Sequence, residues 1–158
     1  MSIEYDFSHP PEAVLHAMTD HDAVLARCAA LGEEVRALRV QHIGTEVVVQ
    51  LERAIRSEVP KVLQRFFNPV QITHLHETWW RSDGDWRGQH DVQIVNQPIE
   101  IHAAFELLPT ATGCRFVIAH RATAKVPLVR RQVEKLLSKE LAKGFTGVCD
   151  YLRDALAR

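Results

Sequence analysis

From Val126-Pro127 to Arg158 the chain carries one long helical pattern, and no other stretch is long enough to cover a sheet. Pro127 is expected to open the helix, because proline is tolerated in a first turn and pre-sets φ there. On a wheel of about 100° per residue, Val129, Val133, Leu136, Leu137, Leu141, Val148, Tyr151, Leu152 and Ala155 share one broad face. Arg131, Lys135, Lys139, Lys143 and Arg153 fall opposite. Two features of the apolar face do not suit a helix that merely plugs a core. Gly144 lies near its centre with Gly147 at its edge, and Glu140 lies within it. A glycine inside a helix costs about 0.5–1 kcal/mol against alanine, so this pair implies a need for room or close approach. The pattern predicts a helix that closes a cavity.

The rest of the chain supplies what such a helix would cover. Ile3, Tyr5 and Phe7 alternate with Glu4 and Asp6, the period of a half-buried strand. His9-Pro10-Pro11 breaks it and opens a short helix through Val14, Leu15 and Met18. Thr19-Asp20 caps a second helix, Ala23 to Leu31, which Gly32 ends. Everything from 33 to 126 then reads as β: Val35 to Val40, Val47 to Arg56, Val70 to Arg81, Trp86 to Val95, Ile99 to Leu107 and Cys114 to Val126. The connections His42 to Thr45, Asp83-Gly84, Asn96-Gln97-Pro98 and Pro109 to Gly113 are short, which implies antiparallel hairpins. Residues 57–69 interrupt the strands, and Val62, Leu63, Phe66 and Phe67 there suggest a short apolar helical turn, a lid candidate. A meander of six strands twists and needs its apolar face covered. Gly88, Ala103, Ala122 and Gly144 are small at facing positions, so a gap is expected between sheet and helix.

Composition narrows the function classes. The chain has 158 residues, 46% hydrophobic and 25% charged, enough for one globular domain over 1–158 with a sizeable core. A net charge of −1 gives no field that would draw it to nucleic acid. Three cysteines, Cys28, Cys114 and Cys149, are too few and scattered for a disulfide framework or a Cys-x-x-Cys site. That fits a cytoplasmic location. The first residues form no signal peptide, and no run reaches the ~18 apolar residues of a membrane span.

The layout is similar to the helix-grip superfamily, which holds START lipid-transfer domains, pollen allergens and polyketide cyclases. The resemblance covers the whole chain. It rests on His9-Pro10-Pro11-Glu12-Ala13-Val14, Thr19-Asp20, Glu77-Thr78-Trp79, the Pro98 hairpin and Val126-Pro127-Leu128-Val129 leading into Glu134. Together these look like an uncharacterised family within that superfamily. In that family the Val-Pro-Leu-Val run continues with two glycines, where this chain has Arg130-Arg131. The resemblance implies an α+β helix-grip fold: a strongly curved, antiparallel seven-stranded sheet (strand, two short helices, six strands) wrapped round a long C-terminal helix. It also implies a hydrophobic-ligand cavity, and it implies no reaction.

Strand phase selects the polar groups that face the cavity. His90 shares a face with Val92 and Ile94, and His120 with Phe116 and Ile118, whereas His102 points out. A two-residue type I′ hairpin at Asp83-Gly84 sets Ser82 opposite Asp85, Trp79 opposite Gly88 and Glu77 opposite His90. Leu75, Glu77, Trp79 and Arg81 then face in, and His74, His76 and Trp80 face out. A one-residue slip would reverse this. His74-Leu75-His76 has the spacing of two metal ligands on one strand face, but a site needs a third, and none converges. No metal and no cofactor are expected. Glu77 with His90 is the more informative pair, able to form a buried ion pair or an acid–base couple. Arg53 and Glu140 are candidates to join it. There is no Gly-x-Ser-x-Gly, His-Glu-x-x-His or phosphate loop.

The expected function is binding of a small hydrophobic or amphipathic molecule, lipid-like or polyketide-like. Its expected lining is Val49, Leu51, Arg53, Glu77, Trp79, His90 and Val92 from the first strands. Ile101, Ala103 and His120 follow from the later strands, and Leu137, Glu140, Gly144 and Val148 from the helix. The rival is a cyclase, dehydratase or hydrolase using Glu77 and His90, with His120 as a further catalytic candidate. A third alternative is an interaction module on the basic helix face. Expected partners are a small hydrophobic ligand, no nucleic acid and no integral membrane association, with a weak homodimer left open.

Overall fold

A computed structural model describes residues 1–56, 58–61, 64–65 and 67–158. Strand β1 (Ser2–Phe7) is followed by α1 (Pro11–Thr19) and α2 (His21–Ala30). Six strands come next: β2 (Glu34–Ile43), β3 (Glu46–Arg56), β4 (Val70–Ser82), β5 (Asp85–Ile94), β6 (Ile99–Thr110) and β7 (Gly113–Ala124). Helix α3 (Arg130–Leu156) closes the chain. All pairings are antiparallel, in the order β1-β7-β6-β5-β4-β3-β2, so the first strand joins the edge beside the last. This is the α+β helix-grip layout that the sequence predicts.

Local chemistry accounts for the boundaries. Asp20 caps α2 by accepting the Ala23 N–H at 3.0 Å, which satisfies one donor of the first turn. Gly32, at φ +75°, lets the chain leave α2 in a left-handed turn, and the Glu33 N–H closes back on the Cys28 carbonyl at 2.8 Å. Asp83 and Gly84 both have positive φ, as a type I′ turn requires. The register is accordingly Ser82 to Asp85, Trp79 to Gly88 and Glu77 to His90. Arg81, although in phase with Trp79, lies at the open end of the sheet, exposed and beside the Trp86 ring.

Several boundaries differ from expectation. The β6–β7 strands extend through Pro109 and Thr110 and turn at residues 111–112, because the end of this hairpin stays paired, Pro109 with Cys114. Helix α3 starts at Arg130, three residues after Pro127. Leu128 sits at φ +72° with its side chain fully exposed, and the Val129 N–H bonds to the Pro127 carbonyl at 2.9 Å. That tight turn, unusual for a non-glycine residue, redirects the chain before the helix can begin. Gly88 also has a different role from the expected gap. A Cβ there would lie 2.9 Å from the Trp79 ring, so the indole occupies the space the glycine leaves. Of the expected lid turn, Val62, Leu63 and Phe66 lie outside the described residues, and Phe67 is buried near Ile94, Ile99 and Val133.

The core is uneven along α3. The C-terminal half of the helix, through Cys149 and Leu152, packs with Phe7, Val14, Met18, Leu107, Phe116 and Ile118, drawn from β1, α1, β6 and β7. Towards its N-terminal end Val133 is fully buried with Ala124 and Val126. Between these anchors Leu136, Leu137, Leu141, Phe145 and Val148 are only half-buried. There the helix stands off from β4 and β5.

Candidate functional site

The gap is a cavity of about 330 Å³, at the lower end of the range usual for small-molecule sites. Its floor is the inner face of β3–β7, with Thr73, Leu75, Glu77, His90, Val92, Ile94 and Ile101. Its roof is α3 from Leu136 to Val148, and Val59, Pro60 and Phe67 line another part of the wall. The remaining side is α2 and the turn that leads into β2, through Arg27 and Glu33.

Glu77 and His90 meet as the hairpin register dictates. His90 Nδ1 lies 2.8 Å from Glu77 Oε1, and Trp79 Nε1 donates to Glu77 Oε2 at 2.8 Å. Only 2% of Glu77 is exposed. Burial by itself pushes the carboxyl's pKa up, but the bonds from His90 and Trp79, with the His90 and Arg27 charges, outweigh it and hold the value below the ordinary range. The carboxylate is therefore ionised with both oxygens engaged. His90 is packed by the rings of Phe105 and Phe145, at centroid distances of 5.1 and 5.6 Å. The pair is thus held rigidly in the cavity wall, with Glu77 orienting the imidazole.

The other expected residues divide two ways. Arg53, Val92, Ile101, Leu137, Glu140, Gly144 and Val148 line the cavity together with Glu77 and His90. Arg53 does not join Glu77; it pairs with Glu33 at 2.7 Å. Glu140 lies at the helix surface, 60% exposed, 3.4 Å from Lys143, so it stays apart from the buried pair. A Cβ added to Gly144 would meet no atom of the described residues within 4 Å, so no close contact among them requires a glycine there. Val49, Leu51, Trp79, Ala103 and His120 are buried in packed core outside the cavity lining. His120 stacks on Phe145 at 5.6 Å, and neither ring nitrogen has a partner among the described residues. Burial, followed by the nearby Met1 ammonium, lowers its pKa and keeps the ring neutral.

On the outer face His74 lies 3.5 Å from Glu52, and His76 is 3.5 Å from both Gln50 and Thr78. Among the described residues no group of three His, Cys, Asp or Glu side chains is placed to hold a metal ion. No helix among them is long and apolar enough to cross a membrane.

The expected lining leaves out several cavity residues, Arg27, Glu33, Thr73 and Phe145 among them. Phe145 was legible as the i+4 neighbour of Leu141 on the apolar stripe. Arg27 carries a sharper signal. It sits at i+3 from Val24 and next to Cys28, a charged residue within the buried stripe of α2.

The sequence profile of one family, described as a protein of unknown function (DUF2505), matches residues 2–156. The chain belongs to the DUF2505 family. No curated protein sequence matches it significantly. Among solved structures, the DUF2505 chain is similar to a STAR-related lipid transfer protein from Xanthomonas axonopodis, at 16% identity and a TM-score of 0.58, covering 99% of this chain and 85% of that one. It is similar to Ara h 8.0201 at 11% identity and a TM-score of 0.55, covering 96% and 95%. It is similar also to SA2116 of Staphylococcus aureus, a protein of unknown function, at 10% identity and a TM-score of 0.59, covering 99% and 94%. At such identities the likeness establishes the helix-grip fold and nothing about activity.

Proposed function

We propose that this DUF2505 protein binds a small hydrophobic or amphipathic molecule in the cavity between its sheet and α3. The supporting observation is the 330 Å³ space itself, bounded by half-buried leucines and aromatics where a helix of this length would otherwise pack down. One of the solved structures that share the fold is described as a lipid transfer protein, which agrees with this. Binding is tested with a neutral naphthylamine fluorophore, whose emission rises on entering an apolar site, and with native mass spectrometry after gentle purification. Saturable binding at one site per chain is expected. An unchanged emission together with a bare protein mass would refute the proposal.

One observation favours a second function, acid–base catalysis. Glu77 orients His90 through Nδ1, and His90 Nε2 has no hydrogen-bond partner among the described residues, the arrangement of an oriented general base. His120 does not reach this pair. Catalysis requires turnover of a carbonyl or ester substrate that disappears in His90→Phe while fluorophore binding persists.

A further inference from the structure

Among the described residues, every buried or half-buried charged side chain in the cavity wall but one has a nitrogen or oxygen partner in contact. Arg53 is held by Glu33 at 2.7 Å, and Glu77 by His90 at 2.8 Å. Glu58 and Glu140 are exposed at the rim, where Glu140 reaches Lys143. Arg27 is the exception. It is 6% exposed and lines the cavity, and no carboxylate lies within ion-pair distance of it among the described residues. Its single side-chain hydrogen bond among them runs from Nη1 to the Met18 sulfur at 3.5 Å, and a thioether is a weak acceptor. The donors at Nε and Nη2 are left without a partner there.

Burying a guanidinium without a carboxylate is costly, and proteins meet that cost with a partner. The neighbouring wall is unfinished in the same way. Among the described residues, Thr73, 3% exposed, has no partner for its Oγ1, and Arg53 Nε lacks one too. These two residues face each other across β3 and β4. The polar end of the cavity thus holds one guanidinium with no carboxylate in contact, and hydrogen-bonding groups left idle among the described residues. Mostly apolar side chains, Ile94, Leu136 and Leu137 among them, line the rest.

We infer that the ligand is an amphipathic monoanion whose carboxylate sits on Arg27, with its hydrocarbon portion lying between Ile94 and the α3 leucines. This deepens the binding function proposed above and rests on it. The planar fork of arginine matches a carboxylate with two parallel bonds, which a point charge cannot do. Charge arithmetic favours a carboxylate over a phosphate monoester. A phosphate carries about −1.5 to −2 at pH 7, which would leave excess negative charge beside Glu33 and Glu77.

The experiment displaces the neutral fluorophore with decanoate, decanol and decyl phosphate, in the wild-type protein and in Arg27→Met and Arg27→Lys. Decanoate is expected to bind at least about tenfold more tightly than decanol, the size expected of a charge-assisted bidentate contact. It is also expected to bind more tightly than decyl phosphate. In Arg27→Met the decanoate-to-decanol affinity ratio should fall to about one, and Arg27→Lys should give an intermediate ratio. Equal affinities in the wild type overturn the head-group assignment while leaving cavity binding intact, as does a preference that survives in Arg27→Met. Tighter binding of decyl phosphate overturns the choice of carboxylate. If the fluorophore itself does not bind, the cavity function fails and this inference with it. Should Arg27→Met not fold, the wild-type ratio and Arg27→Lys still decide.

Discussion

One apolar stripe runs the length of α3, yet its two halves end in different surroundings. Around Cys149 and Leu152 the stripe meets large side chains of α1, β1, β6 and β7, and exposure there falls to 0% and 1%. From Leu136 to Val148 the same stripe faces β4 and β5, whose inward residues include Thr73, Glu77 and His90, and it stays half-buried. The difference teaches that hydrophobic periodicity fixes which way a helix faces, and the opposite surface decides whether it docks. Charged and hydrogen-bonding groups on the sheet keep that half from collapsing, because an apolar helix cannot satisfy them.

The largest expected effect tests the packed half. Leu152→Ala should destabilise by about 2–5 kcal/mol in denaturant unfolding, the usual cost of an unfilled core site. Leu137→Ala, whose side chain already borders empty space, should cost about 1 kcal/mol or less; comparable losses at the two sites would break the comparison.

Next comes the polar floor. Glu77→Gln should cost about 1–3 kcal/mol at pH 7, since it removes the charge that His90 and Trp79 bond. Because the folded-state pKa of Glu77 is lowered, its ionisation stabilises the fold above the ordinary carboxylate range and is lost as pH falls through the folded value. The wild type should therefore lose stability faster on acidification below about pH 4.5 than Glu77→Gln does, seen as converging melting temperatures.

His120 predicts a limb at higher pH. Its pKa is lowered by burial, so the neutral ring contributes stability above about pH 6.5 that fades as pH drops towards the folded value. His120→Phe should flatten stability between about pH 7.5 and 5, and an unchanged slope would show that the burial does not act through titration.

The smallest effect on stability is also the sharpest test of the hollow half. Gly144→Leu extends into space with no atom of the described residues within 4 Å of its Cβ and relieves a helix glycine, so it should stabilise by about 0.5–1 kcal/mol. At the same time it should obstruct the cavity and weaken fluorophore binding. Stabilisation without loss of binding would separate Gly144 from the site.

Much of this was legible in the residues themselves. The alternation in the strands and the single long amphipathic helix specify the architecture, and Asp83-Gly84 sets the register that joins Glu77 to His90. Three things were not legible, each for a physical reason. Trp79 fills the space over Gly88, because a small residue signals room without saying what occupies it. Arg53 chooses Glu33 over Glu77, since strand phase gives a face but not how far along it a long side chain reaches. Arg27 enters the cavity from α2, a short helix whose clearest sequence marks are its caps; a cation beside Val24 and Cys28 on its buried side was the available sign.

The indole over Gly88 has a practical consequence. Trp79 is fully buried and its N–H is spent on Glu77, whereas Trp80 and Trp86 are half-buried. Its emission should lie to the blue of the other two and respond when the Glu77 carboxylate changes charge. The protein thus carries a built-in optical gauge of the Glu77 carboxylate, which can be followed without attaching any dye.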